Sequence, residues 1–106
     1  MRNDLWTEDE FVIVLDVYLH EGRPSAKHPK VIKAADTMTA LSGIHRSPES
    51  VAARLGNFAF LDPDAPVSGL PNIGANGLCP QIWDRYHAHP GVVRGIAEYL
   101  TWKAGR

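Results

Sequence analysis

The chain has 106 residues, of which 44% are hydrophobic and 22% charged, and a formal net charge of −1. This length and composition predict one domain with a single core, and no apolar run approaches the roughly 20 residues that cross a bilayer. The single cysteine, Cys79, excludes an internal disulfide, and no secretion signal is evident, so a cytoplasmic location is expected.

The net charge is unevenly distributed along the chain. Residues 1–22 contain one basic and six acidic residues, residues 23–54 contain six basic and two acidic residues, and residues 55–106 contain four of each. Because charges more than about 10 Å away are largely screened at ordinary salt, the local field decides whether phosphates bind. A nearly neutral chain is therefore compatible with nucleic-acid binding of modest affinity and modest salt dependence.

The first predicted element is a helix that begins after Thr7. The segment Thr7-Glu8-Asp9-Glu10 has the spacing of a capping box, in which the threonine and the last glutamate bond each other's backbone N–H. Gly22 supplies the C-terminal cap. Apolar residues at helical spacing predict the stripe that faces the core, namely Phe11, Val14, Leu15, Tyr18 and Leu19.

Two more amphipathic helices are predicted on either side of Ser42-Gly43-Ile44-His45. Pro29 suits the first position of helix two and Gly43 its end, while Ser47 caps helix three and Pro48 follows it. A short glycine-containing turn before a helix that opens with a basic residue is typical of a helix-turn-helix. The predicted core residues are Val31, Ala34, Ala35, Met38 and Leu41 in helix two, and Val51, Leu55, Phe58 and Ala59 in helix three.

Leu61-Asp62-Pro63 closes helix three, and a long loop rich in Gly, Pro and Asn follows from Asp64 to Pro80. Pro80 is predicted to start helix four and Pro90 to start helix five. The predicted fold is therefore all-α, a single domain over residues 1–106 with about five short helices around a helix-turn-helix-like core. The apolar residues of the last two helices are Ile82, Trp83 and Tyr86 in helix four, and Val92, Val93, Ile96, Ala97, Tyr99 and Leu100 in helix five.

The open face of helix three is the predicted DNA-binding surface. Arginine can bond guanine bidentately, serine and asparagine can reach a phosphate or an adenine edge, and an alanine methyl can contact a pyrimidine C5-methyl. An ordinary solvated helix face is the alternative. The candidate residues are Arg46, Ser47, Ser50, Ala53, Arg54 and Asn57, and the loop residues Arg23, Lys27, His28 and Lys30 are either phosphate contacts or solvated charges.

Neither a metal site nor a catalytic site is indicated. His87 and His89 are the only close pair among the five histidines, without the spacing of zinc ligands, and no nucleophile motif or phosphate loop occurs. No enzymatic activity, cofactor or small-molecule substrate is therefore expected. Trp6, Trp83 and Trp102 are candidates for an aromatic pocket around a flipped base, although Trp83 equally suits the core and Trp102 a core lid or a partner surface.

An ordered series of motifs resembles a known family. It is similar, over nearly the whole chain, to the N-terminal head domain of McrA-type, modification-dependent HNH endonucleases of actinomycetes. The nuclease's Cys-x-x-Cys pairs and His-Asn-His core are missing here, so the resemblance implies a reader domain without the nuclease. The motifs are Leu5-Trp6-Thr7-Glu8-Asp9-Glu10, Val14-Leu15-Asp16-Val17-Tyr18-Leu19, His28-Pro29, Arg46-Ser47-Pro48-Glu49-Ser50-Val51, Leu55-Gly56-Asn57-Phe58, Leu61-Asp62-Pro63, Gly69-Leu70 and Ile82-Trp83.

The resemblance implies a nucleoid-associated protein that binds methylated double-stranded DNA, with 5-methylcytosine as the expected mark. By position, the family pattern carries over to Arg46, Ser50 and Asn57, and Gly69-Leu70 marks a loop expected near the DNA backbone. Two other functions stay open. One is a protein-interaction subunit for a separately encoded nuclease, and the other is a sequence-specific transcriptional regulator, which requires a homodimer that matches two half-sites.

Overall fold

The computed structural model describes residues 6–69 and 77–106 of the chain. These ranges contain five α-helices and no strand, which confirms the predicted all-α class. None of the described helices combines the length and the apolar character needed to cross a membrane. The helices are α1 (Glu8–Glu21), α2 (Pro29–Ser42), α3 (Pro48–Leu61), α4 (Leu78–Tyr86) and α5 (Pro90–Ala104).

Local capping explains where the first three helices begin and end. The hydroxyl of Thr7 accepts the Glu10 N–H at 3.3 Å, and the Glu10 carboxylate accepts the Thr7 N–H at 2.9 Å, so the predicted capping box is confirmed. Gly22 and Gly43 end α1 and α2 with φ of 76° and 74°, a region that favours glycine. The side chain of Ser47 caps α3.

Helix α4 begins at Leu78, two residues before the predicted start at Pro80. Proline lacks an N–H, but the first four N–H groups of a helix have no partner within the helix. Pro80 is therefore accommodated in the first turn of α4 as well as it would be at its first position. The predicted start of α5 at Pro90 is confirmed.

Helix α1 lies at the centre of the fold and contacts each of the other four helices. It therefore buries more than the predicted stripe, since Val12, Ile13 and Val17 are also inside. A helix that is apolar around most of its circumference is one that is covered on most sides. The core predictions for α2 and α3 are confirmed, apart from Leu41, which is only partly buried.

Helix α5 packs against the rest of the described fold on one side only. Its buried residues are Val93, Ala97 and Leu100, which follow one another at helical spacing and face α1 and α2. Val92 and Tyr99 are more than half exposed. The inward stripe is already filled, so both apolar side chains lie on the outer side of the helix.

The segment after α3 folds back onto that helix. The Tyr18 hydroxyl donates to the Asp62 carboxylate at 2.7 Å, and burial together with this bond raises the pKa of Tyr18. Farther along, a Cβ built on Gly69 would overlap the backbone of Gly56 and Phe60 in α3. Only glycine at this position allows the segment to lie against the helix. Residues 70–76 of the predicted loop, Leu70 among them, fall outside the described residues.

We expect Gly69→Ala to destabilise the protein by about 1–3 kcal/mol, because the added methyl group forces the segment away from α3. Gly95→Ala is the matched control, since Gly95 lies inside α5 with open space around its Cα. Alanine there should stabilise by about 0.5–1 kcal/mol through helix propensity. Urea unfolding followed by circular dichroism measures both changes, and wild-type stability in Gly69→Ala would contradict the close packing.

Candidate nucleic-acid interface

Arg46 departs most from its predicted position on an open face. Its side chain is 6% exposed, and Glu10, its partner, is 1% exposed. The Arg46 Nε donates to Glu10 Oε2 at 2.6 Å, and Nη2 donates to Glu10 Oε1 at 3.1 Å. The expectation that Arg46 lies open to a DNA groove is therefore wrong, because its guanidinium is enclosed and bound to a buried carboxylate.

Trp6 lies beside both arginines of the predicted DNA surface. The Cζ atoms of Arg46 and Arg54 are 4.8 Å and 5.7 Å from the centre of the indole ring. Arg54 is half-buried, and its Nε is buried without a hydrogen-bond partner among the described residues. Burial lowers the pKa of Arg54, which nevertheless remains charged. The two guanidinium groups thus pack around the indole of Trp6, a contact that the sequence pattern did not predict.

None of the other residues predicted on the open side of α3 is a fully exposed, free side chain. Asn57 is 1% exposed, so its expected position on the open side is wrong. The hydroxyl of Ser47 accepts the Ser50 N–H at 3.1 Å, and the Ser50 hydroxyl donates to the Ser47 carbonyl at 2.7 Å. Both hydroxyls therefore serve the helix start, and Ala53 is only partly exposed. The physical reason is that α3 is covered by α1, α2 and α4 and by the segment that returns to Gly56.

The sequence contained a signal for the burial of Arg46. Glu10 falls on the same helical face as Val14 and Val17, both of which are buried. A carboxylate on a buried stripe needs a cationic or hydrogen-bonding partner. Because Glu10 also completes the capping box, its place in the sequence was already explained by local structure. The long-range requirement was missed for that reason.

The other predicted cations remain on the surface, in what we call the basic segment, residues 23–33. Arg23, Lys27 and Lys30 are exposed, and so is Lys33, which the sequence analysis had not selected. Within residues 6–69 and 77–106, no carboxylate lies within 4.0 Å of the ammonium groups of the three lysines. Arg23 makes one weak contact, from Nη1 to the Ser68 carbonyl at 3.5 Å.

The start of α2 strengthens the positive field of the basic segment. The first turn of this helix contains no acidic residue, and its N-terminus carries the positive end of the helix dipole. His28 is partly buried and caps the helix, with its Nδ1 accepting the Lys30 N–H at 3.1 Å. Three of the predicted phosphate contacts, Arg23, Lys27 and Lys30, thus lie exposed at or before the start of α2. His28 has a local structural role instead, as the N-cap of this helix.

The three tryptophans do not form one aromatic pocket. Trp83 is buried and stacks on His87 with ring centres 4.7 Å apart, while Trp6 lies against Phe11. Trp102 is 59% exposed and contacts Tyr99 on the outer part of α5. Within the described ranges, no ring contact joins any two of the three indoles. The core interpretation of Trp83 is confirmed, and Trp102 is the one indole of the three that is mostly exposed.

Titratable side chains form no metal cluster in the part of the chain that the structure describes, where no three His, Cys, Asp or Glu residues meet in a suitable arrangement. Cys79 is fully buried, and burial raises the pKa of its thiol to about 11. Because the thiolate is the reactive form of cysteine, the folded protein keeps this side chain unreactive near neutral pH.

Comparisons with protein-family models, with curated proteins and with solved structures found no match to this chain. The resemblance to the McrA head domain stays a prediction from its motifs.

We expect Arg46→Ala to destabilise the protein by about 3–5 kcal/mol, because it leaves the buried Glu10 carboxylate without its partner. Arg85→Ala is the control, because Arg85 forms a 3.1 Å pair with Glu8 in which both side chains are about half exposed. That loss should stay below about 1 kcal/mol. Thermal and urea unfolding measure both, and unchanged unfolding of Arg46→Ala would restore this residue as a candidate DNA contact.

Proposed function

We propose that the protein binds methylated double-stranded DNA and that the basic segment makes the phosphate contacts. The observation that carries the DNA proposal is the group of exposed cations around the start of α2, three of which have no carboxylate of the described residues within 4.0 Å. Cations that already neutralise carboxylates contribute less to a phosphate site. The basic segment therefore supplies charge that remains for a partner.

The arrangement of the cations suits a phosphate backbone. Lys30 and Lys33 are three residues apart on α2, so they lie on neighbouring turns of one helix face. Arg23 and Lys27 extend the charge into the preceding loop. With three or four phosphates contacted, the slope of log K against log salt is expected to be about −3. This is a modest electrostatic contribution, in keeping with the small net charge of the chain.

The methyl preference rests on the resemblance to the head domain. An added methyl group that is removed from water contributes about 1 kcal/mol, so two methyls in a symmetric site discriminate better than one. In the predicted surface, Ala53 is the residue suited to apolar contact with a C5-methyl, and it stays partly exposed. Arg46 and Asn57 are too buried to take part in such a contact without rearrangement.

A protein-interaction subunit is the second candidate function. Val92 and Tyr99 are large apolar side chains that lie more than half exposed on the outer side of α5. Exposed apolar surface of this kind is typical of contacts between proteins. Salt separates the two functions, since DNA binding weakens steeply as salt rises and a largely apolar contact does not.

The double variant Lys27→Ala/Lys30→Ala should weaken binding to a fluorescein-labelled duplex by roughly tenfold and reduce the salt slope by about 2. Lys103→Ala is the control, because it removes the same charge from an exposed lysine in the last turn of α5. Fluorescence anisotropy between about 50 and 200 mM salt measures affinity and slope together. If the double variant binds as the wild type does, the basic segment is not the phosphate contact.

The methyl preference is tested with one duplex that carries cytosine, 5-methylcytosine or N6-methyladenine at the same position. We expect 5-methylcytosine to bind about fivefold tighter per methyl group, the equivalent of about 1 kcal/mol. The N6-methyladenine duplex controls for added apolar surface of another kind. Equal affinity for all three duplexes would reject the methyl preference and leave general DNA binding in place.

A further inference from the structure

An open groove of about 440 Å³ lies between α1, α2 and α5. It is of the size of small-molecule sites, which run from about 300 to 1,000 Å³. Lys30 and Lys33 stand on the α2 wall, and Glu98 and Trp102 stand on the α5 wall. The groove therefore combines a flat aromatic ring with charges of both signs.

We propose that this groove binds one unpaired nucleotide of the DNA, with its base against Trp102 and its phosphate at Lys30 and Lys33. The inference rests on the proposed function, because Lys30 belongs both to the basic segment and to the groove wall. A strand held by Arg23 and Lys27 would reach the groove at Lys30. The available space suits a single nucleotide and not a base pair with its two backbones.

Trp102 offers the stacking surface that an unpaired base requires. Its indole is 59% exposed, although it belongs to a helix that packs on the core. The guanidinium Cζ of Arg106 lies over one face of the ring, 5.1 Å from its centre, so a base would stack on the opposite face or displace the arginine. Proteins that take up unpaired bases combine exposed aromatic rings with nearby cations, because every base has a face that can stack.

The charges of the groove leave its lysines available for a phosphate. Asp16 is engaged by Arg94, whose Nε donates to its Oδ1 at 2.9 Å, and by His20 at 3.1 Å from the same oxygen. This carboxylate therefore competes little for the lysines. Lys30 and Lys33 have no carboxylate within 4.0 Å among the described residues.

Glu98 gives the groove a preference among bases. Its exposed carboxylate can accept a hydrogen bond from the exocyclic amine of cytosine or adenine. Thymine presents a carbonyl oxygen and a methyl group at the corresponding edge, which a carboxylate does not bind. Glu21, the other exposed carboxylate of the groove wall, likewise disfavours base edges that carry only hydrogen-bond acceptors. The groove is therefore expected to prefer cytosine or adenine to thymine.

A partner protein fits the groove less well than a nucleotide does. Of the exposed apolar residues of α5, only Trp102 is part of the groove wall, and Val92 and Tyr99 lie outside it. The groove itself is continuous with the basic segment through Lys30. Charge and position thus favour an occupant that carries a phosphate beside a flat ring.

The test compares a fully paired duplex with the same duplex containing one extra, unpaired cytosine. We expect the unpaired cytosine to tighten binding by roughly tenfold in fluorescence anisotropy. Trp102→Ala should abolish this gain and spare the fully paired duplex, and Trp102→Phe should restore part of it. Phe60→Ala, which removes an exposed aromatic ring on α3, should keep the full gain. The unpaired cytosine should also quench tryptophan emission in the wild type and not in Trp102→Phe.

Replacing the unpaired cytosine by thymine should weaken binding, and Glu98→Gln should narrow the difference between the two bases. Equal affinity of the wild type for paired and unpaired duplexes would overturn the inference and leave the proposed function standing. A gain that survives Trp102→Ala would also overturn it, because the unpaired base would then be bound elsewhere on the protein. If neither duplex binds, the proposed function fails, and the inference falls with it.

Discussion

The ion pair between Glu10 and Arg46 fixes how the start of α1 packs against the start of α3. It joins the first turn of α1 to the residue before the N-cap of α3, 36 positions later in the chain, through two hydrogen bonds. Both groups are nearly enclosed, so either charge would be strongly unfavourable without the other. The two helix starts must therefore lie side by side. The capping box strengthens this arrangement, because it holds Glu10 at Thr7 while its carboxylate binds the arginine.

This constraint decides which cations are left for a partner. Arg46, just before α3, is bound to Glu10, and Arg54, within α3, packs against Trp6. Both cations of the predicted DNA surface are therefore engaged by groups of the protein itself. The charge of the basic segment is not used in this way. The proposed DNA surface therefore lies at the start of α2, where a helix end and a loop present cations, and where no carboxylate from residues 6–69 or 77–106 lies within 4.0 Å of the lysines. Our proposal therefore assigns the phosphate contacts to the start of α2, before the predicted recognition helix α3.

Sequence reasoning succeeded where short-range chemistry decides the structure. The ends of α1, α2 and α3 follow from Thr7, Gly22, Gly43 and Ser47, whose effects reach only a few residues. It failed where distant residues decide, because periodicity assigns an apolar or polar face but does not say what covers it. Arg46 was predicted to be exposed because its partner, Glu10, lies on another helix. Periodicity likewise does not show which side of α5 is packed, and Tyr99 lies outside that side.

Lys30 lies where the basic segment and the α2–α5 groove meet, yet the two proposed contacts depend on salt differently. Phosphate binding releases counterions, so its contribution declines as salt rises. Stacking on Trp102 releases none and should persist. A nucleotide in the groove adds at most one further phosphate to those held by the segment. As salt rises, the affinity for both duplexes should therefore fall while the preference for the unpaired base stays nearly constant. If the groove contributed only additional phosphate contacts, that preference would decline with salt as well.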